Sequence, residues 1–587
     1  MKLKRWTILL LGWLGVTASL RAERPNVVIM IADDAGWGDY SSSGNESVRT
    51  PHIDSLARDG VRLDRYFVQP ACAPTRAELL TGRCALRSGV GGVSGGNERI
   101  DPAEKTIADC FRSAGYATGI FGKWHNGAQW PYVPAARGFE ESRCFMHGQG
   151  ETYYDEVFED ERGTQVKSRG YIDEVSTQNA IEFIRRHRDE PFFCVLPFAL
   201  PHKPWIVKPK DWARWKDRKI PQDGNRPNQE DKDATRAAMA MLENQDANVG
   251  CVLEALDALG LEENTVVIYF SDNGPNEWRW NGAMKGIKGW AEEGGVRSIC
   301  HVRYPAAFPS GRTVEEITSV LDWLPTLTAL AEIPRVGDRP LDGRNILPLL
   351  TGEMEGPWPD RNLYCWWHGG ASVRTQHYRL GSDGGLYDMR GDPLQTTDIA
   401  AQEPERAAGL KRALEAWKSQ MPLFQPGYEK PPFGVGYPEF PITRLDASEG
   451  IGRGGIPRSG AAPNNSWFDW EHPDREIYWP VEVQTAGRYH VQIDYTCPEE
   501  DVGSLIEVSF KTCALTNRLS VAHDPPCIDD DTVPRSRRIS GYKEFREWDF
   551  GVMDLPAGRD ALRIRALEVP GDSVMDVRRI TLTLMPR

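Results

Sequence analysis

The sequence lacks the excess of positive charge that nucleic-acid-binding proteins use to attract phosphate backbones. Its 587 residues contain 70 Lys and Arg against 84 Asp and Glu, which gives a formal net charge of −14 at pH 7. A whole-molecule attraction to DNA or RNA is therefore excluded, and we predict no nucleic-acid partner. An anionic substrate would have to be held by a local cluster of basic side chains.

After its first 22 residues, the sequence also lacks any apolar run long enough to span a membrane. Near the start, Lys2, Lys4 and Arg5 precede a short apolar stretch, Trp6–Val16, and small residues follow it. This order is typical of a secretory signal peptide, which we assign to residues 1–22. We therefore expect a mature protein without a membrane span, located in a periplasm or outside the cell.

The 11 cysteines lack the paired spacing of zinc-binding motifs. An odd number in a secreted chain leaves at least one thiol unpaired. Several cysteines, among them Cys194 and Cys300, lie within apolar runs, which favours buried free thiols. The sequence alone indicates no disulfide pairing.

The composition, 40% hydrophobic and 26% charged, is that of an ordinary globular protein. Three short, β-branched apolar runs, Asn26–Ile31, Phe192–Phe198 and Thr265–Phe270, have the pattern of strands buried on both faces. Amphipathic patterns at Ala103–Ala114 and Ala234–Leu259 predict helices between them. We therefore predict an α/β domain with a mostly parallel central sheet flanked by helices.

The pattern changes period in the C-terminal part of the chain. A Pro- and Gly-rich stretch, 426–465, predicts a linker. Beyond it, apolar residues alternate with polar ones, which predicts an all-β sandwich over residues 466–587. The remaining residues, 23–425, form the predicted catalytic domain.

Polar residues follow each of the three buried strands. Asp33 and Asp34 come after the first, His202 after the second, and Asp272 and Asn273 after the third. Because ligands of open α/β sheets bind beyond the carboxyl ends of the strands, we expect these side chains to meet in one crevice.

A cysteine opens a predicted helix in the string Cys72-Ala-Pro74-Thr75-Arg76, which continues to Leu-Thr-Gly-Arg. Taken alone, this pattern indicates a thiolate nucleophile, because helix N-termini and cations lower thiol pKa values. The full string resembles the signature of the type I sulfatases, formylglycine-dependent members of the alkaline phosphatase superfamily. The resemblance implies an alkaline-phosphatase-like fold, oxidation of Cys72 to formylglycine, and a formylglycine-generating maturation enzyme as a partner.

Further motifs in the same order extend the resemblance over roughly residues 25–423. They imply one Ca²⁺ held by Asp33, Asp34, Asp272 and Asn273 together with the modified Cys72, and an oxygen-rich donor set suits this hard cation. They also imply catalytic roles for Arg76, Lys123, His125, His202 and Lys288. Two positions depart from the common family pattern, with Lys285 in place of Arg and Thr75 in place of Ser.

The implied reaction is hydrolysis of a sulfate ester, with a hydroxyl of the hydrated formylglycine as nucleophile. The Ca²⁺ ion, Arg76, Lys123 and Lys288 would offset the negative charge of the sulfate group. His202, helped by Lys288, would protonate the leaving alkoxide, and His125 would accept the proton whose removal releases sulfate. Arg76 and Lys123 would also orient the formylglycine.

Aromatic residues suggest a carbohydrate substrate. The C-terminal region resembles galactose-binding-like carbohydrate-binding sandwiches, in which we expect Trp467 and Trp470 to be exposed for stacking and Trp479 to lie in the core. Residues near the catalytic motifs are candidates for lining a sugar subsite: Trp130, Tyr132, His147, Trp205, Trp366, Trp367 and His368.

Two alternatives to a carbohydrate sulfatase stay open. One is a phosphonate or phosphate monoester hydrolase, because relatives in the superfamily share the formylglycine signature and the metal ligands. The other is a secreted carbohydrate-binding protein without activity, against which the retention of all six catalytic residues argues. The sequence identifies neither the sugar nor the sulfated position.

Overall fold

A computed structural model describes residues 24–461, 465–527, 533 and 542–586 of the chain. The signal peptide predicted for residues 1–22 lies outside this range. Within the range, every helix is too short or too polar to cross a membrane.

Before residue 425, the described part of the chain contains both helices and strands. The α-helices are α1 (Pro51–Arg58), α2 (Cys72–Thr81), α3 (Ile107–Ser113), α4 (Ile172–Arg186), α5 (Pro209–Trp215), α6 (Lys232–Ala258), α7 (Glu293–Val296), α8 (Trp323–Leu330), α9 (Leu347–Thr351) and α10 (Pro404–Lys418). The first strands are β1 (Asn26–Ala32), β2 (Val61–Leu63), β3 (Tyr66–Phe67), β4 (Ala117–Lys123), β5 (Glu141–Phe145), β6 (Val157–Asp160), β7 (Gln165–Lys167), β8 (Phe192–Pro197), β9 (Thr265–Ser271), β10 (Arg297–Ser298), β11 (Cys300–Arg303), β12 (Arg312–Val314), β13 (Thr318–Ser319), β14 (Leu363–Trp367), β15 (Gly370–Arg374), β16 (Tyr378–Leu380) and β17 (Leu386–Asp388).

The described C-terminal elements are nearly all strands. They are β18 (Phe433–Val435), β19 (Ile442–Asp446), β20 (Ile451–Arg453), β21 (Arg458–Ala461), β22 (Asn465–Trp470), β23 (Glu476–Val483), β24 (Gly487–Thr496), β25 (Leu505–Phe510), β26 (Cys513–Arg518), β27 (Arg546–Leu555), β28 (Gly558–Glu568) and β29 (Met575–Leu584). Short 3₁₀ helices lie at Trp37–Asp39, Ser41–Ser43, Pro134–Arg137, Pro227–Gln229, Val320–Asp322, Pro422–Phe424 and Glu499–Asp501.

A ten-stranded sheet forms the centre of the α/β domain, in the order β12-β2-β11-β9-β1-β8-β4-β5-β6-β7. The central strands β9, β1, β8, β4 and β5 are parallel, so their carboxyl ends lie at one edge. Strands β11, β6 and β7 pair in antiparallel fashion on either side of this centre. The predicted α/β fold with a mostly parallel central sheet is confirmed.

Strand β1 is buried on both faces, as its continuous apolar pattern predicted. Val27, Ile29 and Ile31 pack into an apolar cluster with α2, α3 and α8, whereas Val28 and Met30 pack into a second cluster with α1, α4 and α6. Helices therefore cover both faces of the sheet.

One predicted helix begins later than its apolar pattern indicated. The pattern started at Ala103, but α3 begins at Ile107. The side chain of Thr106 accepts a hydrogen bond from the backbone of Asp109, and the Asp109 carboxylate accepts one from the backbone of Thr106. This capping box fixes the start of the helix.

The C-terminal strands form two packed sheets, which confirms the predicted all-β sandwich. One sheet has the order β18-β23-β28-β25-β26, with β20 also paired to β23. The other has the order β21-β22-β29-β24-β27, with β19 also paired to β29. The stretch 426–465, predicted as a linker, contains β18 to β21, all of which pair with sandwich strands or with each other. Its Pro and Gly residues therefore mark turns between short strands.

The expectation that Trp467 and Trp470 are exposed for stacking is wrong. Their exposed fractions are 5% and 1%, and Trp470 packs in the sandwich core together with Trp479, which is 0% exposed. Trp467 packs against Phe545 with a ring separation of 5.6 Å. Because the two residues are three positions apart on β22, Trp470 faces the sandwich core and Trp467 faces the opposite side of the sheet, where Phe545 and Lys543 cover it.

Trp479→Ala should destabilise the sandwich by about 3–5 kcal/mol, since it empties a fully buried indole site. It also removes the hydrogen bond from Trp479 Nε1 to the Asp446 carbonyl, which is 2.9 Å long. Urea unfolding followed by fluorescence and circular dichroism would measure the change. Val552→Ala is the matched control at a 38% exposed site and should shift stability by less than about 0.5 kcal/mol. Equal shifts for the two variants would contradict the core assignment.

Candidate active site

Residues from four neighbouring strands meet at the carboxyl edge of the central sheet. Asp33 and Asp34 follow β1, Lys123 ends β4, and His202 lies five residues after the end of β8. Asp272 and Asn273 directly follow β9. Five residues of this group are 0% exposed: Asp33, Asp34, Lys123, Asp272 and Asn273. The crevice expected from the strand pattern is therefore present.

Cys72 is the first residue of α2 and points into this cluster. Its Sγ lies within 4.8 Å of carboxylate oxygens of both Asp33 and Asp272. Thr75, one turn into the helix, donates its hydroxyl to the Asp272 carbonyl at 2.6 Å and accepts the backbone N–H of Gln69 at 2.9 Å. The threonine hydroxyl therefore ties the start of α2 to the end of β9.

Each carboxylate of the cluster is paired with a different cation. Lys123 Nζ donates to Asp33 Oδ2 at 2.6 Å. Lys288 Nζ lies 2.6 Å from Asp34 Oδ1. Arg76 donates from Nε and Nη2 to Asp272 Oδ2 at 3.0 and 2.7 Å. Because both partners of a buried ion pair lose hydration, removing one of them leaves an uncompensated charge.

Burial and neighbouring charges shift pKa values in opposite directions within the cluster. Burial raises the pKa of Asp33 well above its usual range, against the lowering effect of Lys123. The pKa of Asp34 is lowered despite burial, because Lys288 and His202 both lie beside it. Burial, with Lys288 and Lys123 nearby, lowers the pKa of His202 well below its usual range. Two neighbouring carboxyls therefore have different proton affinities.

The donor set of this cluster fits a hard divalent cation. Asp33 Oδ1 and Asn273 Oδ1 are buried, and neither accepts a hydrogen bond from any residue of the described ranges. Asp33, Asp34 and His202 form one group of potential metal ligands, and Asp33, Cys72 and Asp272 form another. Buried oxygens without donors are costly in a protein interior, and a cation would satisfy them.

The two histidines are oriented through their ring nitrogens. His202 contacts the Lys203 carbonyl through Nδ1, which leaves Nε2 at 3.4 Å from Asp34 Oδ2. His125 Nε2 donates to the Val93 carbonyl at 2.8 Å, because a carbonyl oxygen can only accept, so this nitrogen carries the proton. Asp34 and His125 both adopt left-handed backbone conformations, with φ values of 68° and 69°. Such conformations in non-glycine residues are held by their surroundings and concentrate at functional sites.

The candidate sugar-binding residues do not lie together. Trp205 is 1% exposed and packs in the apolar cluster on one face of the sheet. The prediction that it lines a sugar subsite is therefore wrong, because its ring is covered by other residues. His147 binds Asp446 of the sandwich at 2.6 Å, and Trp130 stacks on Phe440 at 5.8 Å. These two residues therefore contact the C-terminal module.

Trp367, with His368 packed against it, lies beside the turn that follows Lys288. They are at the tip of the β14–β15 hairpin, where Trp367 pairs with Gly370. A Cβ placed on Gly289 would be 3.5 Å from Trp367 Nε1, and the Gly289 N–H donates to the Pro70 carbonyl at 2.8 Å. His368 is exposed and packs edge-on against Trp367 with a ring separation of 4.6 Å. The hairpin tip therefore lies over the turn that follows Lys288.

Sequence reasoning missed one buried residue of the site. Arg279, 3% exposed, donates to both carboxylate oxygens of Asp39 and, through Nη2, to the Asp34 carbonyl at 3.0 Å. This bond to the carbonyl fixes the backbone of Asp34. Arg279 lies between Trp278 and Trp280, outside the recognised motifs. The one feature of the sequence that could have indicated it is a charged residue within an aromatic segment.

A family model described as Sulfatase matches residues 25–333. The chain belongs to the sulfatase family. This sulfatase is 30% identical to steryl-sulfatase from Mus musculus over 471 residues, covering 60% of this chain and 70% of that protein. It is 28% identical to N-acetylgalactosamine-6-sulfatase from Homo sapiens over 392 residues, covering 60% of this chain and 70% of that protein.

Solved structures show the same fold. The crystal structure of Ps i-CgsB in complex with k-i-k-neocarrahexaose matches this sulfatase with a TM-score of 0.62 and 27% identity. The match covers 70% of this chain and 95% of that chain. Family membership and this likeness make the protein a sulfuric ester hydrolase with an alkaline-phosphatase-like catalytic domain, which confirms the predicted family, fold and enzyme class.

Asp272→Ala should remove bound divalent metal from this sulfatase, because it deletes an oxygen ligand and leaves Arg76 as an unpaired buried cation. Metal content per chain would be measured by plasma mass spectrometry after dialysis. Asp501→Asn changes a buried carboxylate of the sandwich that binds Ser573, and it should keep the parent metal content. Full occupancy in a folded Asp272→Ala protein would contradict the ligand assignment.

Proposed function

We propose that this sulfatase hydrolyses sulfate esters of carbohydrates in a periplasm or outside the cell, using one Ca²⁺ ion and formylglycine formed from Cys72. The observation that carries the proposal is the position of Cys72, whose Sγ lies within 4.8 Å of the carboxylates of Asp33 and Asp272. Three cations pair with the surrounding carboxylates, so a sulfate group would meet positive charge that the acidic chain as a whole does not provide.

The choice of Ca²⁺ rests on the chemistry of the donors. Asp33, Asp34, Asp272 and Asn273 supply oxygen atoms from two separate strand ends, and Ca²⁺ takes six to eight oxygen ligands. Zinc prefers nitrogen and thiolate ligands in tetrahedral sites, and the cluster contains one histidine and one cysteine. Cys72 would join the set through the oxygen of its modified side chain.

The choice of a carbohydrate rests on relatives and on aromatic surface. One relative is named for N-acetylgalactosamine-6-sulfate chemistry, and one solved neighbour is in complex with a neocarrahexaose. In this chain, Trp367 lies over Gly289, His368 packs against Trp367, and Trp290 is 37% exposed on the same turn. Exposed aromatic rings beside a polar crevice suit the apolar faces of sugar rings.

When present, the Ca²⁺ ion and the formylglycine hydrate supply charge neutralisation and a nucleophilic hydroxyl. The chain's own residues bind and orient the sulfate group around them. Lys123 and Lys288 hold the ligand carboxylates in place and add positive charge to the crevice. Arg76 holds Asp272 through two hydrogen bonds, which fixes both the ligand and the start of α2.

His202 is the proposed general acid. Its Nδ1 contact with the Lys203 carbonyl fixes the ring so that Nε2 faces Asp34 and the crevice. Because the Lys203 carbonyl can only accept, Nδ1 carries a proton, so the acid is the imidazolium form, whose second proton, on Nε2, passes to the oxygen of the departing sugar. Burial lowers the pKa of His202, whereas the Asp34 carboxylate raises it toward this charged form. His125 is the proposed base, because its Nδ1 is buried and receives no hydrogen bond from the described part of the chain.

Turnover of a matched substrate panel would test the proposed function. Protein co-produced with a formylglycine-generating enzyme should hydrolyse sulfated oligosaccharides with a higher kcat/KM than sterol sulfates. It should also prefer a sulfate monoester to the corresponding phosphate or phosphonate monoester. A preference for phosphorus esters would instead support the alternative hydrolase, and loss of all sulfate turnover in modified protein would overturn the proposal.

Peptide mass spectrometry should show sulfur lost and oxygen gained at Cys72 in the active protein. Cys72→Ser should abolish turnover, because a serine lacks the second hydroxyl of the hydrate. Cys84→Ser, which changes another buried thiol, is the control and should retain activity. An unmodified Cys72 in fully active protein would exclude the proposed nucleophile.

His202→Ala should reduce turnover of a sugar sulfate by about 10²–10⁴-fold, but turnover of an activated aryl sulfate much less, because a phenolate needs little protonation. His125→Ala should reduce both substrates by similar factors, because its proton transfer does not involve the leaving oxygen. Steady-state kinetics on both substrates would give the two ratios. An equal loss for both substrates in His202→Ala would make His202 a sulfate-binding residue.

A further inference from the structure

We propose that Arg99 is a positioning residue through which the C-terminal β-sandwich holds His125 in a single tautomer. The inference rests on the proposed function, in which His125 accepts a proton. It assigns the sandwich a role in the chemistry of the catalytic domain, in addition to any role in binding substrate.

The position of the proton on the His125 ring depends on a hydrogen bond to another residue. The Nε2–H group donates to the Val93 carbonyl at 2.8 Å, and this bond leaves the lone pair on Nδ1. Nδ1 is buried and has no hydrogen-bond partner among the described residues, so the ring's own surroundings fix only one of its two nitrogens. Which nitrogen of a neutral histidine carries the proton is set by the bond that the other one makes. The Val93 carbonyl therefore determines the tautomer.

Val93 lies in a loop whose internal hydrogen bonds do not anchor it to the rest of the protein. This segment, residues 91–97 and called the glycine loop below, contains four glycines. Gly95 and Gly96 have φ values of 63° and 80°, conformations that glycine adopts at low cost but also leaves easily. Within the loop, the Gly91 N–H donates to the Asn97 carbonyl at 3.0 Å, and the backbone N–H and Nδ2 of Asn97 donate to the Ser94 carbonyl at 3.2 and 3.1 Å. These bonds shape the loop but do not connect it to the rest of the protein. The loop's position must therefore be set by neighbouring residues.

Arg99 is the side chain that connects the glycine loop to the C-terminal part of the chain. It is 4% exposed. Its Nε donates to the Gly96 carbonyl at 3.1 Å, while its two terminal nitrogens donate to the carbonyls of Pro431 and Pro432. One planar guanidinium thus fastens the loop to a segment more than 330 residues away, which a lysine with its single ammonium cannot reproduce.

The guanidinium is also held between two aromatic rings. Its Cζ lies 5.1 Å from the ring centre of Tyr132 and 4.5 Å from that of Phe433. Phe433 begins β18, pairs with Val481 of β23, and belongs to the sandwich core. The chain of contacts therefore runs from the sandwich core through Arg99 to the glycine loop and to His125.

Further C-terminal residues enclose the same loop. Lys430 Nζ donates to the Gly95 carbonyl. A Cβ on Gly91 would overlap Leu423, and one on Gly95 would lie 3.7 Å from the Ser448 carbonyl. Three separate positions after residue 420 thus contact the glycine loop, whose sequence provides little apolar surface of its own.

Arg99→Met, which keeps side-chain length and removes the donors, should lower kcat by about 10–100-fold, the usual cost of losing a residue that orients a catalytic histidine. KM should change much less, because the sulfate-binding cations stay paired. The loss should be the same for sugar and aryl sulfates. Arg99→Lys should not restore kcat, because it cannot reach all three carbonyls. Arg444→Met is the matched control, since Arg444 binds Gly163 and Glu159 at the same interface, away from the glycine loop.

A double-mutant cycle separates positioning from general destabilisation. If Arg99 acts through His125, the variant carrying both Arg99→Met and His125→Ala should be no slower than His125→Ala alone. A merely structural role predicts that the two losses multiply. Multiplied losses, or an equal loss of kcat in Arg444→Met, would overturn the proposal.

The tautomer can be read without any turnover. In protein labelled with ¹⁵N-histidine, the His125 signal, identified by its absence in His125→Ala, should report a proton on Nε2 in the parent and in Arg444→Met. In Arg99→Met it should report a mixture of tautomers. An unchanged tautomer in Arg99→Met would overturn the proposal even if activity fell, whereas an inactive parent with the expected tautomer shift would refute the proposed function alone.

If Arg99→Met does not fold, Lys430→Met replaces it. Lys430 is exposed and contributes one bond to the glycine loop, so its loss should be tolerated by the fold. It should shift the tautomer and kcat in the same direction by a smaller factor, and the absence of both shifts would count against the proposal.

Discussion

Charge neutralisation at the end of the central strands is the constraint on which this protein depends. Three buried carboxylates meet where β1 and β9 end, and each has a cation of its own: Asp33 with Lys123, Asp34 with Lys288, and Asp272 with Arg76. Without those partners the carboxylates would be protonated or the sheet edge would become exposed to water, since breaking a buried ion pair costs about 3–5 kcal/mol. The cations of these pairs are also the ones proposed to attract the sulfate group, so under that proposal stability and chemistry use one set of charges.

The carboxyl edge of a parallel sheet explains why so many distant residues converge. Strands β9, β1, β8 and β4 are neighbours, and each is followed by a polar residue of the site. Their interiors are apolar and covered by helices on both faces, which leaves the edge as the place where polar groups can be grouped at low cost. Arg279 and Thr75 then fix individual backbone segments around that edge.

Much of this arrangement could be predicted from the sequence because it is local. Continuous apolar runs located β1, β8 and β9 to within one residue, and the Cys72 string placed the start of α2. The ion pairs and the orphaned oxygens depend on contacts between residues about 90 to 250 positions apart, which periodicity does not encode. The predictions for Trp205, Trp467 and Trp470 failed because a tryptophan in the sequence does not show whether its ring lies in a core or at the surface.

In the sandwich, tertiary contacts give a segment with the composition of a linker a regular strand structure. The stretch 426–465 is rich in Pro and Gly, as a linker would be, yet its short strands pair with the sandwich and its flanks contact the catalytic domain. His147 with Asp446, and Trp130 with Phe440, extend the same interface. A module joined through so many polar and aromatic contacts is a structural part of the catalytic unit.

The depth of Cys72 has a consequence for the order of events during biosynthesis. Its side chain is 2% exposed, at the base of α2 and behind the closed cluster of ion pairs. If Cys72 is oxidised by a maturation enzyme, as proposed, that enzyme has to reach a side chain that the folded catalytic domain covers. Under the proposal, oxidation comes before folding closes the cluster, and a molecule that folds first keeps an unmodified thiol. The fraction of active protein would then depend on the rate of oxidation relative to the rate of folding.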